Sequence, residues 1–284
     1  EMQRSLVGSE MCIRDSSRAG NLRRPPRATA GSLNYRCCAV RRDYDIMIII
    51  AAFPRAERLR HVRKLFQYNL YGGIYMVKNE DINKILDILE ETYPQAECAL
   101  DHKDVYQLLI SVVLSAQTTD KAVNIVTPAL FEKYPTPYEL AEADPEDVAQ
   151  YIKRIGMYKT KSRNIVGLAK SLIENYGGQV PDDYDALVSL PGVGRKTANV
   201  VLSVGFGHQR IAVDTHVFRV ANRIGLTSEK DVLKTELSLM ERIPEERWSR
   251  THHSLIFHGR QCCDARKPKC DDCPIEEYCD YVSK

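Results

Sequence analysis

Hydrophobic residues recur at helical spacing along the chain from about residue 76 onward. The first such segment predicts an amphipathic helix capped by Asn79. The next, residues 108–114, is apolar on nearly all sides and predicts a buried helix capped by Asp104. The apolar face of the first helix consists of Ile82, Ile85, Leu86 and Leu89.

Capping residues and helix breakers divide the remaining sequence into further helices. Asp144 followed by Pro145 predicts a helix start, because Asp caps well and Pro fits the first turn. A long helix is predicted from about Lys161 to Tyr176, where two glycines end it. No alternating strand pattern of useful length occurs, so the predicted fold class is all-α. Other helices are predicted around Val123–Leu130, around Leu187, from Arg195, and over Thr215–Ile224, Asp231–Arg242 and Trp248–Arg260.

Residues 1–75 have no sustained hydrophobic period, and Arg-rich pieces alternate with Ser, Pro and Gly. This pattern is typical of an organellar transit peptide or of non-coding sequence upstream of a gene. We therefore expect a non-native, transit-like or disordered extension, with Met76 as the natural start. The expected localisation is cytoplasmic and nucleoid-associated for a bacterial protein, and organellar or nuclear if residues 1–75 are a targeting segment.

The net charge of +2 conceals an uneven distribution. Residues 1–75 carry 14 basic and 6 acidic side chains, whereas the rest carries 26 and 32. The regular part is thus acidic, and an interpretation as a nucleic-acid-binding protein depends on local basic clusters that could equally be solvated helix faces. No apolar run approaches the ~18 residues that span a bilayer. Nine unevenly spaced cysteines argue against a disulfide framework and indicate a reducing compartment. The basic clusters are Lys153, Arg154, Lys159, Lys161 and Arg163; Arg195 and Lys196; and Arg260, Arg266, Lys267 and Lys269.

A glycine-containing hairpin joins two of the predicted helices. Pro191 ends the first helix, Gly192 and Gly194 allow a tight turn, and Arg195 begins the second helix. The free N–H groups at a helix N-terminus form an anion site, for which a DNA phosphate is the obvious ligand. Lys196 lies in the first turn, where the helix dipole disfavours an ammonium ion, so its amine is a candidate nucleophile. By itself, however, such a hairpin favours DNA binding over catalysis.

Four cysteines lie within 17 residues near the C-terminus, at Cys263, Cys270, Cys273 and Cys279. A segment this short cannot bury its own core, so four close thiols predict a metal site. Zinc is the commoner metal for four cysteines, although zinc sites usually contain two separated pairs of cysteines. Iron–sulfur clusters are also held by four thiolates. Cys262 is a competing ligand beside Cys263.

The sequence LPGVGRKTA at 190–198, the sequence AVDTH at 212–216 and the four-cysteine loop resemble the endonuclease III family of helix-hairpin-helix DNA glycosylases. The resemblance covers about residues 76–284 and implies a [4Fe–4S] cluster held by the four cysteines. It implies a six-helix lobe over residues 98–207 that contains the hairpin. Residues 76–97 and 208–284 would form a discontinuous lobe that carries the cluster loop, 263–279. DNA would lie in the cleft between the lobes.

The resemblance also implies a bifunctional DNA N-glycosylase and abasic-site lyase of base excision repair. Its substrate would be double-stranded DNA that contains an oxidised or otherwise damaged pyrimidine or an abasic site, and it would act as a monomer without membrane contact. Lys196 would attack the sugar and form a Schiff base, which allows β-elimination to nick the strand. Asp214, which on the residues alone is a helix cap, would assist as a carboxylate.

Several residues take DNA-binding roles from the same resemblance. Gln117 would enter the duplex where the base has left, and Met157 would wedge nearby, at a position where the family usually has leucine. Lys267 in the cysteine loop would contact phosphate. His216 is expected to be structural. The hairpin contributes Gly192, Gly194 and Arg195.

Three alternative functions remain at this point. An adenine-mismatch or uracil/thymine-mismatch glycosylase would generally lack the hairpin lysine, and adenine-specific members carry a further C-terminal domain. In a non-catalytic DNA-binding module with a structural metal, Lys196 would be a phosphate contact and Asp214 only a cap. An iron–sulfur electron carrier fits poorly, because a single cysteine loop is attached to a large helical body.

Overall fold

The computed structural model describes residues 76–283, so the predictions for residues 1–75 lie outside the described residues. Between residues 76 and 283 the chain forms helices and no strands, which confirms the all-α class. None of these helices combines the length and the apolarity that crossing a membrane requires. The α-helices are α1 (Asn79–Thr92), α2 (Val105–Leu114), α3 (Asp120–Lys133), α4 (Pro137–Ala141), α5 (Pro145–Ile152), α6 (Tyr158–Tyr176), α7 (Tyr184–Ser189), α8 (Arg195–Phe206), α9 (Thr215–Ile224), α10 (Val232–Arg242) and α11 (Trp248–Gln261). Short 3₁₀ turns cover Glu245–Arg247, Cys270–Asp272, Glu276–Tyr278 and Tyr281–Ser283.

Side-chain caps fix most of the predicted helix starts. Asp104 and Asp144 each accept a hydrogen bond from a backbone N–H two or three residues further on, as predicted. The prediction for Asn79 is wrong, because this residue is already helical and Lys78 occupies the cap position without a side-chain bond. Helix α6 begins at Tyr158, three residues before the predicted start.

Helices α2 to α8 enclose the first of two hydrophobic cores. Helix α2 packs against α8, and α6 packs against α4 and α5. The side chains of α2 are buried on all sides, as its continuous apolar sequence predicts. Fully buried members of this core include Leu108, Leu109, Leu114, Leu130, Ile152 and Ile165.

The second core joins α1 to α9, α10, α11 and the cysteine segment. Arginines of the C-terminal region hold α1 in place across more than 150 residues of sequence. Arg250 donates to the carbonyls of Tyr93, Pro94 and Ala96 just after α1, and the guanidinium of Arg247 pairs with carboxylates on α1 itself. The first described helix therefore belongs with the C-terminal helices, and the described chain has two lobes with separate cores.

Candidate active site

The turn between α7 and α8 constrains its two glycines differently. Gly192 has a φ of +78°, and a Cβ there would lie 3.1 Å from the side chain of Asn164 on α6. Gly194 has an ordinary φ of −105° and is the N-cap of α8. A Cβ at Gly194 would meet nothing within 4 Å. The hairpin thus requires glycine at 192, and it leaves open space beside Gly194 at the positive end of α8.

Arg195 has a partner that the sequence did not reveal. Its Nη2 and Nε donate to the two carboxylate oxygens of Glu236 on α10, at 2.7 and 3.0 Å. Glu236 is only 4% exposed, and Asn199 donates to the same carboxylate. This two-point contact and the buried acid raise the pKa of the Arg195 guanidinium. The guanidinium therefore ties the hairpin to the second lobe, and its predicted contact with DNA stays a prediction.

A cavity of about 1,090 Å³ lies between the two lobes and brings the predicted catalytic residues together. Lys196, from the first turn of α8, is exposed and lines it. Asp214 and Gln117 line the same cavity. Within residues 76–283, no hydrogen bond or ion pair engages the Lys196 amine. Its nitrogen is therefore available to a molecule that enters the cavity.

Asp214 caps α9 with one carboxylate oxygen. Its Oδ1 accepts hydrogen bonds from the backbone N–H groups of His216 and Val217, both at 2.8 Å. These bonds confirm the predicted cap. Since both use Oδ1, capping leaves Oδ2 unoccupied, and the carboxylate can serve as a cap and as part of the cavity wall at once.

Behind the cavity, α11 places a histidine that sequence reasoning missed. His252 shares with Lys196 and Asp214 the lining of a second cavity of about 70 Å³. Burial lowers the pKa of His252 well below its ordinary value, so the ring is neutral near pH 7. A neutral ring adds no positive charge beside the lysine. In the sequence, the one notable feature of His252 is that His253 follows it, and a pair of adjacent histidines does not by itself indicate a functional site.

Gln117 and Met157 share an unusual backbone conformation. They have φ values of 53° and 55°, and no other non-glycine residue of the described chain has positive φ. Both side chains are exposed, Met157 by 50%. Left-handed backbone is uncommon for residues other than glycine, so both turns hold their side chains outward at some conformational cost.

An ion pair links the two lobes at the cavity wall. Nη2 of Arg260 on α11 lies 2.7 Å from Oδ2 of Asp120, the first residue of α3. Both residues line the large cavity. The sequence placed Arg260 in a basic cluster, and neither position indicated this contact 140 residues apart.

The cysteine segment folds back on itself through two short 3₁₀ turns. Cys263 lies close enough to interact electrostatically with Cys270, Cys273 and Cys279. Burial raises the pKa of Cys273 to about 12 and that of Cys279 to about 11. Thiols that interact at this range fit a metal cluster, which would take them as thiolates.

Two further groups lie beside these thiols. The ligand atoms of His258, Cys262 and Cys273 all lie within 4.8 Å of one another. His258 also contacts the hydroxyl of Tyr93 through Nδ1 at 3.0 Å. Cys262 is therefore near the candidate metal site, and substitution of Cys262 and of Cys263 in turn tests which of the two is a ligand.

Two arginines of α9 fasten the start of the cysteine segment. Arg219 donates to the carbonyl oxygens of Gly259 and Cys263. Arg223 donates to the carbonyls of Asp264 and Ala265, and its Nη1 lies 3.5 Å from the sulfur of Cys263. Their spacing of four residues puts them on one helix face, a signal that sequence reasoning could have used. Without that spacing, each arginine by itself looks like an ordinary solvated charge in the sequence.

Lys267 lies at the surface of the same segment. Its backbone N–H and that of Arg266 donate to Oδ1 of Asp264, which fixes a turn. The Lys267 side chain is exposed and is not part of the cavity wall. Its predicted phosphate contact therefore stays a prediction about the outer surface.

The fold and this site define a class of protein. Residues 110–245 match the sequence profile of the HhH-GPD superfamily of base excision DNA repair proteins. Residues 263–279 match the iron–sulfur binding domain of endonuclease III, a match that begins at Cys263 and ends at Cys279.

Relatives narrow the class to one family. Endonuclease III of Bacillus subtilis is 50% identical over 205 residues, which cover 72% of this chain and 94% of that protein. Endonuclease III of Rickettsia conorii is 50% identical over 200 residues, covering 70% and 95%. A trapped endonuclease III–DNA covalent intermediate has a TM-score of 0.71 at 49% identity and covers 73% of this chain and 98% of that one. The chain belongs to the endonuclease III family.

Proposed function

We propose that the protein is a bifunctional enzyme of base excision repair. It removes an oxidised or otherwise damaged pyrimidine from double-stranded DNA and nicks the resulting abasic site. One observation carries the proposal: an unengaged lysine amine and a carboxylate share the wall of a cavity between two lobes. Membership of the endonuclease III family supports it, and so does the covalent DNA intermediate formed by a relative that is 49% identical.

Lys196 is the proposed nucleophile. Its neutral amine attacks C1′ of the damaged nucleotide, and the bond from C1′ to the base breaks. Asp214, whose Oδ2 is free of the helix cap, stabilises the positive charge that develops on the sugar and helps to remove a proton from the amine. His252, which lines the small cavity with them, is neutral and adds no further positive charge to the site.

The covalent product explains the second activity. Opening of the sugar ring leaves a Schiff base between C1′ and the Lys196 nitrogen. This group withdraws electrons, so a proton is lost from C2′ and the phosphate on the 3′ side departs by β-elimination. Hydrolysis of the Schiff base then releases the enzyme.

DNA binding is proposed to use Gln117, Met157, the hairpin and Lys267. The cavity exceeds the usual range for small ligands, roughly 300–1,000 Å³, which fits a nucleotide turned out of the duplex with its phosphates. Gln117 would enter the vacated position, and Met157 would wedge nearby. The open N-terminus of α8 at Gly194 would accept a phosphate, and Lys267 would contact the backbone further away.

The four cysteines Cys263, Cys270, Cys273 and Cys279 would hold the [4Fe–4S] cluster, which supplies a structural cross-link when bound. Arg219 and Arg223 hold the backbone of this segment against α9. The lobes are proposed to divide at residues 98–207 on one side, and at 76–97 with 208–284 on the other. The two separate cores support this division.

Reductive trapping tests the proposal directly. Borohydride added to the wild type with duplex DNA that contains an abasic site should give a covalent protein–DNA adduct. Lys196→Gln should abolish both adduct and nicking, while DNA affinity stays within about threefold. Lys121→Gln, which removes the same charge from the same cavity wall, should keep both. Nicking at the wild-type rate by Lys196→Gln would show that another residue is the nucleophile, and no adduct with the wild type would favour a DNA-binding module.

A further inference from the structure

Lys161 is a buried lysine that the proposed chemistry does not use. It lies in the first turns of α6 and is only 3% exposed, although the sequence placed it among solvated basic residues. That interpretation is wrong for this residue. Its Nζ donates to the carbonyl oxygen of Leu114 at 2.9 Å and to Oγ1 of Thr118 at 2.7 Å.

The buried charge has a local electrostatic partner but no carboxylate. Leu114 is the last residue of α2, so its carbonyl lies at the negative end of that helix dipole. No ion pair is formed by Lys161 within the described chain, and burial lowers the pKa of its amine. An ammonium ion buried without a carboxylate is costly, so its two hydrogen bonds are worth more than surface bonds.

These bonds join the two left-handed turns. Leu114 and Thr118 lie on either side of the turn that displays Gln117. The backbone N–H of Lys161 donates to the carbonyl of Met157 at 2.9 Å. One residue thus contacts both turns, through its side chain on the Gln117 side and its main chain on the Met157 side. Gln117 and Met157 are the two non-glycine residues with positive φ in the described part of the chain, and Lys161 connects the turns that hold them.

We propose that Lys161 is a positioning residue that fixes the Gln117 and Met157 turns as one rigid unit. The two side chains then enter the duplex together when a base is extruded, and the entropy of ordering them is lost on folding rather than on DNA binding. This inference rests on the proposed function. It predicts that Lys161 matters for opening a site within a duplex and not for chemistry at C1′.

The test compares two DNAs that carry the same abasic site, one a duplex and the other a single strand, because only in the duplex must the abasic nucleotide be turned out of a base stack that Gln117 and Met157 then fill. Lys161→Met keeps the length of the side chain and removes its donors. It should lower single-turnover adduct formation on the duplex by about 10- to 100-fold, the loss expected for charge-assisted hydrogen bonds. On the single strand the loss should stay under about threefold. The fluorescence of a 2-aminopurine placed beside the site in the duplex should rise less when Lys161→Met binds than when the wild type binds.

Two further variants keep the test decisive. Thr118→Val removes one hydroxyl, should impair the duplex reaction in the same direction but less, and should be non-additive with Lys161→Met because the two share a bond. Lys170→Met removes an exposed charge from the same helix and should match the wild type. Equal losses on both DNAs, or no loss on either, would overturn the positioning role. Absence of adduct with the wild type would instead overturn the proposed function and this inference with it.

Discussion

Gly192 and Gly194 lie two residues apart in one hairpin, yet the physical reason for glycine differs between the two positions. The backbone at 192 is left-handed and the side chain of Asn164 fills the space beside it. At 194 the backbone is ordinary and the space is open. A glycine needed for folding and a glycine that leaves room for a ligand can therefore be separated by experiment.

Alanine at each position should give opposite results. Gly192→Ala should lower the free energy of unfolding by about 1–2 kcal/mol, since L-residues avoid positive φ and Asn164 must shift. Gly194→Ala should change it by less than about 1 kcal/mol, because only an N-cap preference is lost. It should nevertheless weaken DNA binding, since the methyl group occupies the space proposed for a phosphate. Urea denaturation and fluorescence anisotropy measure the two effects, and equal stability of both variants would contradict the argument.

The sequence predicted the residues that line the cavity better than it predicted the side chains that hold those residues in place. The hairpin sequence and the position of Lys196 in a first helical turn are local features, so they could be predicted. Glu236 contacts Arg195 from 41 residues away, and Thr118 contacts Lys161 from 43 residues away. No sequence pattern indicates either contact, because the partners meet only when separate helices pack.

At the scale of helices, periodicity and caps predicted most elements and failed where local rules compete. Asn79 looks like a cap but is the first residue of α1, since the cap position falls on Lys78, which makes no side-chain cap bond. Helix α4 has five residues, too few to show a period, although Thr136 caps it with Glu139. Helix α6 starts early because Met157 takes the left-handed cap position, which no pattern of apolar residues reveals.

Helix α11 carries a histidine, His253, whose titration should contribute to the loss of stability in acid. Burial lowers the pKa of His253 from 6.5 to about 4. Between these values the unfolded chain binds a proton that the folded chain does not, so stability falls as the pH falls from 6.5 to 4. The shift corresponds to about 3 kcal/mol at pH 4 relative to pH 7. His253→Gln should flatten the pH dependence of the free energy of unfolding by about this amount.

The exposed His102 gives the matched control for this titration. His102→Gln makes the same substitution at a surface histidine and is the reference against which His253→Gln is compared. Urea melts at half-unit steps from pH 4 to pH 7 measure all three proteins. An unchanged slope in His253→Gln would mean that the proton uptake belongs to other groups, of which the buried His252 is the nearest.

For the whole molecule, the decisive feature is that the chain's first described helix completes a core built from its last helices. The second lobe depends on α1, on α9 to α11 and on the cysteine segment together. Sequence alone could not predict this, since no local pattern pairs α1 with Arg250. The cavity follows from it, because Lys196 from one lobe and Asp214 from the other can line one cavity only when both lobes are folded.

The cysteine segment should therefore hold the second lobe together through its metal site. Cys263→Ser should lose iron and visible absorbance, and it should lower stability by several kcal/mol, because the binding energy of a structural metal is also folding energy. Hydrogen exchange should then speed up in α9 and α11 and stay slow in α2, whose core is separate.

Cys262→Ser is the matched control. The sulfur of Cys262 also lies near Cys273, yet the matching iron–sulfur domain begins one residue later, so this variant should retain iron. Loss of iron from Cys262→Ser with retention in Cys263→Ser would reverse the ligand assignment, and uniform exchange across both lobes would show that the two cores unfold as one.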